Sequence, residues 1–200
     1  VVGVAGFGEE VEGLGAQELG ALGLGAAQRL GEQVASSSAH VSLVGPLGSG
    51  RAWLAGWIHA RSPAQAYGLT DLDGHRVTPA ELELTLRARG TALIRDAQGL
   101  SVDAQGALSA WLDDPGPAPA RLILTTTAEQ DLGGVLRFDL PRRLKLWSIA
   151  VPGLHQRRED IPQLVIGLLA EALGRPEAEG AEFLSAEALD LFTKASYPNH

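Results

Sequence analysis

The sequence predicts an α/β protein: a parallel sheet with helices on both faces, followed by a short helical segment. Three observations carry this. Apolar runs at residues 41–44, 91–94 and 121–126 alternate with stretches of helical periodicity, the pattern of strands joined by helical crossovers. Hydrophobic residues make up 45% of 200 residues, enough for a sizeable core. The run at 41–44 leads directly into a glycine-rich turn and a second apolar helix, as at the ligand-binding edge of parallel sheets.

The elements follow in order. Residues 1–8 alternate apolar residues with glycine and suggest a short strand or the tail of an upstream domain, and residues 9–15 are acidic and linker-like. Leu19, Leu22, Ala26, Leu30 and Val34 recur at helical spacing, which predicts a helix over 17–35. A strand at 41–44 and a helix at 50–60 come next. Residues 61–77 read as loop with a short strand near 67–69, and Asp73-Gly74 as a turn. Thr78-Pro79-Ala80-Glu81 is a helix start: an N-cap, a proline at the first helical position and a glutamate three residues on. Gly90 closes that helix. Strands at 91–94 and 121–126 enclose a helix from the Ser101 cap to Asp113 and a proline-rich loop at 114–119. Short elements follow at 139–146 (helix) and 149–151 (strand), then helices at 158–173 and 185–195. The four tryptophans (Trp53, Trp57, Trp111, Trp147) are assigned to core packing. His59 and His155 have no partner at ligand spacing and are read as structural.

Composition excludes several function classes. A formal charge of −8 speaks against a broad nucleic-acid-binding face, leaving only a basic stretch between Arg137 and Arg158. The absence of cysteine removes disulfides and thiolate metal sites and fits a cytoplasmic protein. No apolar run reaches the ~20 residues of a membrane helix, and no signal peptide is evident. With no methionine, starting at Val1 and stopping at His200 soon after a helical pattern, the chain reads as a piece of a longer protein.

The motif that carries chemistry is Gly45-Pro46-Leu47-Gly48-Ser49-Gly50-Arg51-Ala52. It has the layout of a phosphate-binding loop, G-x-x-x-x-G-K-[ST], in which backbone N–H groups and a helix N-terminus converge on an anion. Arg51 replaces the lysine, and Ala52 the hydroxyl residue that reaches Mg²⁺. Arginine keeps the charge but is bulkier and forked, so the exchange is not conservative at a cradled phosphate.

Further segments, in order, resemble the central AAA+ domain of NtrC-type bacterial enhancer-binding proteins, the sigma-54-dependent transcription activators. Val151-Pro152-Gly153-Leu154-His155-Gln156-Arg157-Arg158-Glu159-Asp160-Ile161-Pro162-Gln163-Leu164 resembles that family's VPPLRERREDIPLL. Residues 136–144 resemble FREDLYYRL, residues 91–100 TLFLDEIGEL, residues 121–127 RIIAATN and residues 185–189 the start of LSPEALELL. Tyr197-Pro198 stands where the family has WP. The likeness covers roughly residues 14–200. It implies a P-loop AAA+ three-layer sandwich with a parallel sheet at 14–155, the start of a small helical lid subdomain at 156–200, and a linker or upstream-domain end at 1–13. It also implies ATP or ADP with Mg²⁺ as cofactors and ring-type self-association. An upstream sensory domain, as in two-component response regulators, and a downstream DNA-binding domain would complete the full-length protein.

The resemblance likewise assigns candidate site residues, and the departures count against them. Asp96 stands at the position of the catalytic glutamate, one methylene short, and Arg95 at that of the aspartate that serves Mg²⁺, where a cation opposes the metal. Thr127 replaces the sensor asparagine. Arg137 and Arg143 match the arginine-finger region that reaches a neighbour's nucleotide, or else are surface arginines. Nothing in residues 61–90 resembles the GAFTGA loop that touches the sigma factor. The expectation is a regulatory AAA+ module, degenerate in ATP hydrolysis and unable to engage sigma-54, whose glycine loop marks the fold more than it holds a nucleotide. An active ATPase using Arg51 and Asp96, and a pseudo-ATPase oligomerisation scaffold, are the alternatives.

Overall fold

The computed structural model describes residues 25–127, 136, 140–144, 146–174 and 183–197. The expected strand at 1–8, the linker at 9–15, the beginning of the helix at 17–35, Arg137, Asp139 and Pro198 lie outside the described residues.

The order of elements is α1 (Gly25–Ala35), β1 (Val41–Val44), α2 (Arg51–Ala60), β2 (Leu69–Asp73), α3 (Pro79–Arg87), β3 (Thr91–Arg95), α4 (Val102–Asp113), β4 (Arg121–Thr126), α5 (Leu140–Leu144), β5 (Trp147–Ala150), α6 (Ile161–Leu173) and α7 (Ala186–Lys194). Short 3-10 turns at Pro63–Tyr67, Ala97–Gly99, Leu154–Gln156 and Arg158–Asp160 join them. The five strands form one sheet in the order β2-β3-β4-β1-β5, every pair parallel.

Side chains alternate across this sheet, as the two-residue period of a strand requires. Ala92 and Ile94 of β3, with Leu122 and Leu124 of β4, face a cluster completed by Leu82, Leu86, Leu108 and Trp111 from α3 and α4. Leu93 and Ile123 point the other way, into a cluster with Val41, Leu43, Leu54, Trp57, Ile58 and Ile149. Both faces of the central strands are thus buried. This explains why they read as unbroken apolar runs. The result is a helix–sheet–helix sandwich with β4 in the middle of the sheet and β1 beside it, and α6 and α7 packed together after it.

Three helix starts follow local chemistry. The hydroxyls of Thr78, Ser101 and Ser185 accept the amides of Glu81, Ala104 and Ala188, each at 3.2 Å. Three details differ from the sequence reading. The segment after α2 contains a full edge strand, β2, whose Leu69 and Asp73 pair with Thr91 and Arg95 of β3. The helix expected from 158 begins as a 3-10 turn and becomes α-helical at Ile161. Trp147 is 52% exposed on the edge strand β5 rather than in the core, while Trp57 and Trp111 are buried. Edge strands have one solvated flank, which is why the packing assignment fails there.

Candidate functional site

The glycine loop lies at the C-terminal end of β1, between β4 and β5. Its entry is fixed by close packing. The Gly45 amide donates to the Thr126 carbonyl at 3.1 Å, and a Cβ on Gly45 would stand 2.3 Å from the Val151 carbonyl oxygen. Pro46 and Leu47 form the outer turn, with Leu47 exposed. Gly48 and Gly50 take φ of +75° and +83°, left-handed values that a side chain resists. Gly50 is the N-cap of α2 and has no side chain to satisfy the first amides, so they stay available to an anion.

Behind the loop is an arginine that the sequence pattern reads only as the start of a helix. Arg157 is 3% exposed; its Nη2 donates to the Ser49 carbonyl at 3.0 Å, and its Nη1 lies 3.6 Å from Asp160. Burial pushes its pKa down and Asp160 opposes that shift, so the guanidinium stays charged. The next residue reaches the other way: Arg158 Nη1 donates to the Thr193 carbonyl of α7 at 3.1 Å. Adjacent arginines therefore connect the glycine loop to the last helix. The tertiary partners, Ser49 and Thr193, lie 108 and 35 residues away in sequence.

Arg51 and Asp96 meet. Arg51 is 7% exposed and its Nη2 lies 3.3 Å from Asp96 Oδ1. Burial draws its pKa down and Asp96 counters. Asp96 has φ of +50°, the sole positive value on a non-glycine among the described residues. The Thr125 hydroxyl accepts the Asp96 amide at 3.0 Å, and the Gln98 amide nitrogen donates to Oδ1 at 3.3 Å. The strained backbone is thus held from two sides. Arg95 turns aside: its Nε donates to Asp71 Oδ1 of β2 at 2.7 Å, a bond that raises its pKa. Together with Gly48, Gly50, Ala52 and Thr125, these residues line a cavity of about 280 Å³.

The chemistry divides by ligand. A phosphate group fits: no side chain caps the first amides of α2, and Arg51, which lines the cavity, keeps a buried Nη1 without a hydrogen-bond partner. Mg²⁺ does not fit. Ala52 offers no oxygen, Arg95 is a cation, and Asp96 is already paired with Arg51. Among the described residues no group of three or more acidic or imidazole side chains could hold a metal.

The other candidates stand elsewhere. Thr127 is half-buried just past β4 and does not line the cavity; Thr125, two residues earlier, does. Arg143 on α5 is bound within its own chain, with Nη1 2.6 Å from the Ser109 hydroxyl and Nη2 paired with Asp113 of α4. Arg137 lies outside the described residues.

Strand order, parallel register and a glycine loop at the end of β1, between β4 and β5, define the P-loop AAA+ NTPase fold. Solved structures share it: NtrX from Brucella abortus in complex with ATP superposes with a TM-score of 0.66 at 21% identity, over 88% of this chain and 47% of that one. In sequence the chain is similar to bacterial regulators. It is 29% identical to the transcriptional regulatory protein GlrR of Escherichia coli K12 over 84% of its own length and 45% of GlrR. It is 28% identical to the nitrogen assimilation regulatory protein NtrX of Azorhizobium caulinodans over 72% of its own length and 39% of NtrX. The chain thus spans less than half the length of these curated relatives. No family model matches it.

Proposed function

We propose that this chain is the regulatory AAA+ module of an NtrC-like bacterial transcriptional regulator, degenerate in ATP hydrolysis and unable to engage sigma-54. The observation that carries the reading is the Arg51–Asp96 ion pair beside Ala52. P-loop hydrolysis needs a cation on the phosphates, a metal with oxygen ligands and a carboxylate free to orient water. Here the cation and the carboxylate neutralise one another, and the metal's ligands are replaced by Ala52 and the diverted Arg95. If each loss costs even tenfold in rate, about 1.4 kcal/mol of barrier apiece, little turnover remains.

In this reading the loop takes the phosphates of ATP or ADP without Mg²⁺, through the α2 amides and Arg51. The module works by assembling in a cytoplasmic, ring-type oligomer, under an upstream sensory domain and ahead of a DNA-binding domain. The similarity to GlrR and NtrX supports a role in transcription control. The test is phosphate release by the purified chain with Mg²⁺-ATP. No release above a protein-free blank is expected; steady turnover that disappears in Asp96→Asn would establish the active-ATPase alternative instead. ADP titrated with and without Mg²⁺ is expected to bind equally, whereas a strict need for Mg²⁺ would contradict the metal-free site.

A further inference from the structure

At the opposite edge of the sheet, where the strands begin, lies a second and larger cavity of about 420 Å³. It falls within the size range of small-molecule sites, roughly 300–1,000 Å³. His40 lines it from the segment before β1, Tyr67 from the 3-10 turn after α2, Arg89 from the turn after α3, Pro119 from the loop before β4, and Arg121 from the first position of β4. Its lining contains no aspartate or glutamate, on a chain of net charge −8.

Both arginines lack a carboxylate partner among the described residues. Arg121 is 5% exposed and donates only to carbonyls: Nε to Ala39 at 3.1 Å, Nη1 to Ala35 at 3.2 Å and Nη2 to Val34 at 2.7 Å. Those carbonyls, two at the end of α1 and one in the segment after it, stabilise its charge but do not cancel it. Arg89 is set over the Tyr67 ring at 5.3 Å, with Nη1 3.3 Å from the Tyr67 hydroxyl. Its guanidinium is thereby oriented at the cavity wall with donors left over. His40 accepts the Leu122 amide on Nδ1 at 3.1 Å, which leaves Nε2–H as the ring's donor. The remaining wall is mostly apolar, with Tyr67 and Pro119 offering flat surfaces.

We propose that this cavity binds a small organic acid, a carboxylate on a flat apolar body, with Arg89 contacting the carboxylate and Arg121 supplying the surrounding positive field. The site is separate from the glycine loop and does not depend on what that loop holds. Two cations without an acid partner above an apolar floor match such a ligand better than a neutral one, which would leave the charge uncompensated, or a bare inorganic anion, which would leave the floor unfilled.

The test uses the whole chain, with benzoate, benzyl alcohol and inorganic phosphate as probes, followed by titration calorimetry and by amide NMR shifts. Benzoate is expected to saturate with shifts centred on His40, Gly68 and Gly90, not Gly48 and Gly50. Benzyl alcohol and inorganic phosphate are each expected to bind about tenfold more weakly. Arg89→Ala alters an exposed side chain and is expected to weaken benzoate about tenfold with an unchanged melting curve. Equal binding of benzyl alcohol or phosphate, shifts confined to the glycine loop, an undiminished Arg89→Ala, or no saturable benzoate binding would each overturn the proposal.

Discussion

Asp96 competes for Arg51 with any anion that approaches the glycine loop. The carboxylate holds the guanidinium from inside the chain, so a phosphate must displace it or share the cation. Asp96→Asn removes the competitor while keeping the side-chain shape. Metal-free ADP or inorganic phosphate is expected to bind that variant about five- to tenfold more tightly, measured by titration calorimetry. The same change leaves a mostly buried arginine without its counter-charge, so unfolding in urea is expected to show a loss of about 1–3 kcal/mol. At this scale the sequence displays both residues and their unusual types. It does not display their contact, because 45 residues separate them and the meeting depends on β1 and β3 sharing one sheet through β4.

Elements whose ends are set by local chemistry were legible. The Ser101 hydroxyl caps α4 at the residue the sequence names, and Ser101→Ala is expected to cost about 1 kcal/mol in chemical denaturation. The glycine loop was likewise legible as strand, turn and helix, including its boundaries to within a residue. Gly45→Ala is expected to fail more severely than Gly31→Ala, since its Cβ meets the backbone carbonyl of Val151 at 2.3 Å, whereas a Cβ on Gly31 meets side chains of Trp57 and Ile58 that can move. Poor soluble expression or a large drop in melting temperature is the expected readout. Elements fixed by pairing were harder to see. The β2 sequence, Leu-Thr-Asp-Leu-Asp, is polar and short, and it becomes a strand by adding to β3. Arg157 sits in a charged run that normally faces water, and only packing of the segment after β5 against the glycine loop buries it.

For the molecule as a whole, two histidines couple stability to pH. Burial first, and the Arg121 charge second, lower the pKa of both His40 and His59. His40 is packed against Trp111 and bonded to the Leu122 amide, and His59 lies 2.8 Å from the Thr91 hydroxyl. A histidine whose folded pKa is depressed contributes fully above its unfolded value near 6.5, and that contribution is lost as pH falls below it, because the unfolded chain binds the extra proton. Protonating His40 also removes the acceptor used by the Leu122 amide. The urea midpoint is therefore expected to drop between about pH 7.5 and pH 5.5, and to drop less in His40→Gln. No helix among the described residues is long and apolar enough to cross a membrane.

The sequence by itself determined the parallel α/β architecture, the place of the glycine loop and most helix ends. Each of these depends on periodicity, capping or turn chemistry within a few neighbouring residues. It also showed which residue types had changed at Arg51, Ala52 and Arg95. The tertiary structure alone decided what those residues do: Asp96 occupies Arg51, Asp71 draws Arg95 away, Arg157 supports the loop from beneath, and Arg121 and Arg89 meet around a cavity at the far edge. Charge pairs and cavities are set by which strands lie side by side, and the strand order β2-β3-β4-β1-β5 is a property of the folded sheet that no local stretch of chain encodes.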